Sequence, residues 1–230
     1  MSTPDPRQVF VVIPAYNEHA SIHSVTQELL KHGYRLVIVD DGSKPSLAPV
    51  LNDLPVIYAR HRVNLGQGAA LQTGIEIALA NEASFVVTFD ADGQHEAGDI
   101  ADAINLLVEN QLDVVLGSRF LENPAKDMSA GRKRVLKMAR YINFIFTGIL
   151  LTDAHNGFRC MTAEAAGKIT LKQNGMSHAT EFLSIIRKQK LRYAEMPVSV
   201  YYTDYSKAKG QRSWHGFRIL FDLLLSKFFK

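Results

Sequence analysis

Val9-Phe10-Val11-Val12-Ile13, breaking into Pro14-Ala15-Tyr16-Asn17-Glu18, is the stretch on which the fold turns: an apolar, β-rich run that ends in a polar loop. The same grammar returns at Arg35 to Val39, Val56 to Ala59, Phe85 to Phe89 and Val114 to Gly117. Between these runs, Ser21 to His32, Gly68 to Ala80 and Asp99 to Asn110 read as helices. Short strands alternating with helices predict an α/β fold, with one mostly parallel sheet flanked by helices. In such sheets ligands bind beyond the carboxyl ends of the strands, so the loop after each strand is where chemistry is sought.

Size and composition agree with one domain. The chain has 230 residues, 47% apolar and 21% charged, enough to bury a sizeable core. There is no internal repeat, low-complexity tract or flexible linker to divide it. The single cysteine, Cys160, excludes an intramolecular disulfide and fits a reducing compartment. Met1 to Arg7 is polar and carries no secretory pattern, and no window holds the ~18 consecutive apolar residues of a spanning helix. A cytoplasmic protein that does not cross a membrane by itself is expected.

Charge divides the chain. Residues 1–118 carry 6 Lys/Arg against 15 Asp/Glu, a net of −9, and residues 119–230 carry 20 against 8, a net of +12. Solvated helix faces account for many single cations, but the bias of the whole half favours an anionic partner. No helix-turn-helix or stacking motif supports nucleic acid as that partner.

The first two loops, Pro14 to Glu18 and Asp40-Asp41-Gly42-Ser43, place an aromatic ring, a carboxylate and an acidic pair on one rim. Either alone reads equally well as a helix-capping turn. Together they suit a nucleoside, which needs stacking for its base and a carboxylate acceptor for its ribose diol. The third loop, Asn64-Leu65-Gly66-Gln67-Gly68-Ala69-Ala70, opens a helix with small residues that let backbone approach a ligand. It has neither the lysine of a P-loop nor the spacing of a dinucleotide fingerprint, which argues against ATP hydrolysis and NAD chemistry.

The fourth strand ends in Phe89-Asp90-Ala91-Asp92-Gly93-Gln94-His95. Two carboxylates one residue apart, with an amide oxygen two residues on, offer hard oxygen ligands suited to Mg²⁺ or Mn²⁺. A departing diphosphate needs its charge neutralised, and such an ion supplies that.

These residues resemble the family 2 glycosyltransferases of the GT-A fold, particularly the polyprenyl-phosphate sugar transferases. The resemblance runs from about Val9 to Lys209 and is carried by Pro14 to Glu18, Asp40 to Ser43, Asn64 to Ala70, Asp90 to His95, Gly117-Ser118-Arg119, Asp153 to Arg159 and Ser206-Lys207. It implies a Rossmann-like GT-A domain over residues 1–210 and an inverting transfer of a hexose from a nucleotide sugar to a polyprenyl phosphate. By the same resemblance Pro14, Tyr16, Glu18, Asp41, Gly68, Asp90 and Ala91 face the donor nucleotide, while Asp90, Asp92 and Gln94 hold the metal. His155-Asn156 and the segment Tyr202 to Lys207 depart from the mannose-transferring members, which leaves glucose, N-acetylglucosamine and other hexoses open and puts UDP ahead of GDP.

The basic half is where the acceptor is expected to be encoded. Arg119, Arg132, Arg159 and Lys207 form a candidate cluster for a lipid phosphate, since guanidinium and ammonium groups give charge-assisted bonds to phosphate. A phosphomonoester carries about −1.5 to −2 charges at neutral pH, so no general base is compulsory. Asp153 and Glu181 are the carboxylates to consider if one exists, and by the resemblance Glu181 matches a Glu that the family places near the donor sugar. Their alternatives are a cap or an Arg159 partner for Asp153, and a helix residue pairing a cation for Glu181.

Residues 211–230 read as an amphipathic helix, with Phe217, Leu220, Phe221, Leu224, Leu225 and Phe228 on one broad face, and Tyr141 to Leu151 is a second apolar segment. Either suits an anionic membrane surface, the protein's own core or a partner, and a small membrane subunit would supply an anchor. A homo-oligomer stays open. The competing functions are a family 2 transferase acting on a glycan hydroxyl and a silent nucleotide-sugar-binding subunit.

Overall fold

The computed structural model describes residues 4–121, 140–141, 144–145, 147–153, 156–175 and 177–199. Arg132, Lys207 and the helix expected over 211–230 lie outside them.

After a short 3-10 turn at Pro6–Gln8 the elements run β1 (Val9–Ala15), α1 (Ile22–Lys31), β2 (Arg35–Asp40), α2 (Ala48–Leu51), β3 (Ile57–Arg60), α3 (Gln67–Ala80), β4 (Phe85–Thr88), α4 (Asp99–Glu109) and β5 (Val114–Ser118). They continue with β6 (Arg159–Thr162), α5 (Ala163–Lys168), α6 (His178–Lys188) and β7 (Tyr193–Pro197). The seven strands form one sheet in the order β3-β2-β1-β4-β6-β5-β7. All pairings are parallel except those of β6, which runs antiparallel to both β4 and β5.

The continuous apolar run of β1 is explained by burial on both faces. Val9, Val11 and Ile13 pack with Ile22, Val25 and Leu29 of α1 and with Ile100, Ile104 and Leu107 of α4. Phe10 and Val12 point the other way, into a cluster with Leu71 and Ile75 of α3 and Phe182 of α6. This period of two is what a two-sided strand requires.

Two strands, β6 and β7, are not among the five expected from the sequence. β6 has four residues and opens on a charged one, Arg159, so no apolar run marks it. Its register sets Arg159 opposite Thr88 and Leu116, at the carboxyl rim of the neighbouring strands. Thr162 then ends the strand and caps α5 through its hydroxyl, which accepts from the Ala165 amide at 3.1 Å.

Candidate active site

Over the carboxyl rim of β1, β2 and β4 lies a cleft of about 510 Å³. Its first wall comes from the turn after β1. Asn17 adopts a left-handed conformation, its amide donates to Ser43 Oγ at 2.9 Å, and its side-chain oxygen accepts from the Lys44 amide at 3.0 Å. The first two loops are thereby stitched together, and Tyr16 stands 47% exposed on the cleft with Pro14 and Glu18 beside it.

The acidic pair after β2 divides its labour. Asp40 is fully buried and accepts from the Ser43 and Leu47 amides and from the Tyr58 hydroxyl. Burial opposes its charge, but the bonds from Ser43, Tyr58 and Leu47 prevail and hold its pKa below the usual carboxylate value. Asp41 lines the cleft and grips the third loop, accepting from the amides of Leu65 at 2.9 Å and Gly66 at 2.7 Å. His61 Nδ1 lies 2.7 Å from Asp41 Oδ1, the oxygen that also accepts from Leu65, and its Nε2 is 3.0 Å from Thr73 Oγ1. Sequence reading singled out Asp41 but not His61, whose partner lies twenty positions upstream.

The third loop behaves differently from its sequence expectation. Gly66 and Gln67 line the cleft, whereas Gly68 does not. The Gly68 amide donates to Asn174 O at 2.9 Å, and a methyl on its Cα would collide with the Gln173 carbonyl. Its smallness admits a neighbouring chain segment, not a ligand.

Asp90, Ala91 and Asp92 form the floor. Gln67 Nε2 donates to Asp90 Oδ1 at 3.3 Å, and His95 Nε2 lies 3.5 Å from Oδ2. The His95 ring is held edge-on against Phe89, with centroids 5.6 Å apart, and its Nδ1 is buried without a partner. Burial works against the Asp90 charge, yet the His95 hydrogen bond and charge, followed by Arg159 and His178, keep its pKa low. Asp92 is shifted the opposite way, by burial first and then by the Asp90 charge. Gln94 donates to both Asp92 oxygens, through its backbone amide and its side-chain Nε2, leaving Gln94 Oε1 as a third hard oxygen nearby.

This donor set fits a divalent ion shared with a ligand. Among the described residues no group of three or more His, Cys, Asp or Glu side chains is arranged for a metal. Two crowded carboxylates and an amide therefore supply only part of a shell, as is usual for an ion that substrate phosphates complete.

Asp90 owes its place to a glycine. A methyl at Gly157 would collide with the Asp90 carboxylate, and Thr88 Oγ1 fixes that backbone by donating to Gly157 O at 2.6 Å. The turn after β5, expected to gather acceptor cations, holds a closed pair instead. Arg119 Nε and Nη2 donate to Asp153 at 2.6 and 2.8 Å, so the partner of Asp153 is Arg119 and not Arg159. Glu195 of β7 accepts from the Thr152 and Asp153 amides, fixing the turn from the other side.

Arg159, expected in the acceptor cluster, is buried. It is 4% exposed, its guanidinium lies 4.5 Å over the Phe182 ring, and burial lowers its pKa to about 10 against the pull of Asp90. It is therefore a buried cation whose charge acts on Asp90. Among the described residues Glu181 pairs no cation, and its Oε2 accepts from the amides of Lys172 and Gln173 at 2.9 and 2.8 Å.

A sheet of this order with an aromatic and acidic cleft over its rim defines a glycosyltransferase fold of the GT-A type. Glucosyl-3-phosphoglycerate synthase from Mycobacterium tuberculosis, solved with Mn²⁺, UDP and glucosyl-3-phosphoglycerate, superposes with a TM-score of 0.63 at 17% identity, covering 93% of this chain and 78% of that one. The sequence profile of glycosyl transferase family 2 matches residues 10–170, and the chain belongs to that family. Among its relatives, an uncharacterised protein of Methanocaldococcus jannaschii is 35% identical over 96% of this chain and 93% of its own length. A UDP-N-acetylglucosamine--dolichyl-phosphate N-acetylglucosaminyltransferase of Methanococcus voltae is 34% identical over 95% of this chain and 96% of its own. A dolichyl-phosphate beta-glucosyltransferase of Dictyostelium discoideum is 28% identical, covering 86% and 67%.

Proposed function

We propose that the protein transfers a hexose from a nucleotide sugar, with a UDP-sugar the first to test, to a polyprenyl phosphate met at a membrane surface. The observation that carries the donor half is the convergence of Tyr16, Glu18 and Asp41 with Asp90 and Asp92 on one cleft. Tyr16 offers a stacking face, and the carboxylates of Glu18 and Asp41 offer acceptors for a nucleoside's hydroxyl and N–H groups. Asp90, Asp92 and Gln94 would hold a Mg²⁺ or Mn²⁺ ion, which when bound neutralises charge gathering on the diphosphate.

The acceptor half rests on the dolichyl-phosphate relatives and on the state of the two candidate bases. Asp153 is spent on Arg119 and Glu181 is turned onto backbone amides. An acceptor that is already an anion needs neither. Its phosphate oxygen attacks the anomeric carbon, the bond to the nucleoside diphosphate breaks, and the electron pair leaves with the diphosphate. Arg132 and Lys207 remain proposed phosphate contacts, whereas Arg119 is engaged with Asp153.

Incubation with labelled UDP- and GDP-sugars, dolichyl or undecaprenyl phosphate and Mn²⁺, followed by organic extraction, tests this. Label should enter the organic phase and should not do so in EDTA. Label found only in a water-soluble glycan would replace the lipid acceptor with a hydroxyl one.

A further inference from the structure

His61, the residue after β3, reaches back to the end of β2 in two ways. Its amide donates to Asp40 O at 2.9 Å, and its ring Nδ1 stands 2.7 Å from Asp41 Oδ1. A carboxylate accepts and does not donate, so the ring nitrogen facing it carries the hydrogen. In the neutral ring Nε2 is then an acceptor, and the Thr73 hydroxyl of α3 stands 3.0 Å away as its donor. The residue is thereby held at its backbone and at both ring nitrogens, with its side chain 12% exposed.

The Asp41 carboxylate has about four lone-pair sites to offer. His61 and the Leu65 amide take both on Oδ1, and the Gly66 amide takes one on Oδ2. Among the described residues this leaves a single site, on Oδ2, in a side chain that lines the cleft. The loops around the carboxylate give it little room to turn, because a methyl at Gly42 would collide with the backbone of Val63 and Asn64. Asn64 lines the same cleft, and its side-chain amide can donate to a carbonyl.

We propose that His61 is a positioning residue that fills Oδ1 of Asp41, leaving the carboxylate one acceptor site for the donor's base and so selecting a uracil-type base over guanine. This rests on the nucleotide-sugar reading of the cleft. Uracil presents one ring N–H between two carbonyls, a pattern that one carboxylate site and an amide donor such as Asn64 can satisfy. Guanine presents two adjacent donors, its ring N–H and its exocyclic amine, which a carboxylate meets with both oxygens. With Oδ1 already filled, one of those donors is buried without a partner, a loss of about tenfold or more in affinity.

Calorimetry with UMP and GMP, in EDTA so that no metal contributes, compares the wild type with His61→Leu, His61→Asn and Thr73→Val, with a melting curve for each. The wild type should bind UMP about tenfold more tightly than GMP. His61→Leu frees Oδ1 and releases the carboxylate, and it should raise the UMP Kd about tenfold with little change for GMP, so that the preference collapses. His61→Asn sets an amide N–H where the ring Nδ1 stood and should restore the preference. Thr73→Val keeps the ring but frees its outer nitrogen, and its preference should fall between those of the wild type and His61→Leu. A His61→Leu variant that weakens both nucleotides alike, in step with its melting temperature, would show a merely structural histidine and overturn the proposal. If His61→Leu does not fold, Thr73→Val carries the test, and an unchanged preference in it overturns the proposal. A wild type that binds GMP as tightly as UMP overturns it as well. Should the folded wild type bind neither nucleotide, the nucleotide-sugar reading itself is what fails.

Discussion

Arg119 and Asp153 meet in a two-pronged ion pair, with N–O distances of 2.6 and 2.8 Å and the Asp153 side chain 2% exposed. It joins the end of β5 to the turn that Glu195 holds from β7. Burial alone would raise the Asp153 pKa, but the hydrogen bonds and charge of Arg119 outweigh it and keep it below the usual 3.8. The pair's stabilisation is therefore complete above that value and is lost as the pH falls through the lower folded one. Arg119→Ala strands a buried carboxylate and should cost about 3 kcal/mol in urea unfolding at pH 7. Arg119→Ala with Asp153→Asn should cost less than the two single losses added together. A reduced acceptor affinity in Arg119→Ala has to be judged against this loss of stability.

Arg159 is predicted to act on the donor side. Arg159→Met keeps the contact with Phe182 and removes the cation whose charge acts on Asp90. Steady-state kinetics should show a changed KM for the nucleotide sugar and metal, with the lipid-phosphate KM the same as in the wild type. A selective rise in the lipid KM would return Arg159 to the acceptor cluster.

What the sequence made legible follows from how each element is buried. β1, β2, β4 and β5 were visible because burial on both faces writes them as unbroken apolar runs, the half-buried edge strand β3 by its place in the alternation, and three helices because they fill the intervals between strands. β6 was not, since its first position is a buried arginine and an antiparallel insertion has no local signature. The rim loops could be read as parts of one cleft because their aromatic and acidic residues lie directly after the visible strands. The pairing of Arg119 with Asp153 spans 34 positions, and the grip of Glu181 on Lys172 and Gln173 is a side-chain to backbone contact. Neither leaves a pattern in residue types.

Gly157 offers a sharper probe of the floor than substitution of a carboxylate. Gly157→Ala should displace Asp90 because the added methyl has no other space, lowering transfer about 100-fold. Asp92→Asn should lower it by a similar factor by removing one hard ligand and one compensating charge. Titration of Mn²⁺ in the presence of UDP should show weakened ion binding in both, with far-ultraviolet circular dichroism unchanged. Normal Mn²⁺ affinity in Asp92→Asn would remove it from the proposed metal set.

Asp99, at the start of α4, accepts from the Ser199 amide at 3.1 Å. Burial, with the like charge of Glu96, raises its pKa to about 6 despite that bond. The folded protein thus holds a proton on Asp99 at pH values where the unfolded chain has lost it. Stability from this group is fully present below 3.8 and declines as the pH rises through about 6. Asp99→Asn keeps the acceptor for Ser199 and removes the charge. Its melting temperature should exceed that of the wild type at pH 7.5, with the gap shrinking as the pH is lowered towards 4.

Membrane contact is predicted to begin beside the acceptor rim. Tyr141, Phe144, Ile145 and Leu150 are exposed, Ile145 by 75%, and they precede by a few residues the turn that Glu195 and Arg119 fix. Arg187 Nη1 donates to Thr147 O at 3.1 Å and ties this apolar stretch to α6. No helix among the described residues is long and apolar enough to span a bilayer. Residues 119–230 carry a net +12, and each basic residue near an anionic surface contributes about 1 kcal/mol of attraction. Apolar insertion adds to this, and the two together give firmer attachment than either alone. Sedimentation with vesicles containing phosphatidylserine should show binding that weakens as salt rises and that Ile145→Asp reduces, while UDP-sugar binding by the variant stays at the wild-type level. Removing residues 214–230 should reduce vesicle binding further with the same control. A full-length protein that binds UDP-sugar but ignores such vesicles at low salt would assign docking to a dedicated membrane subunit.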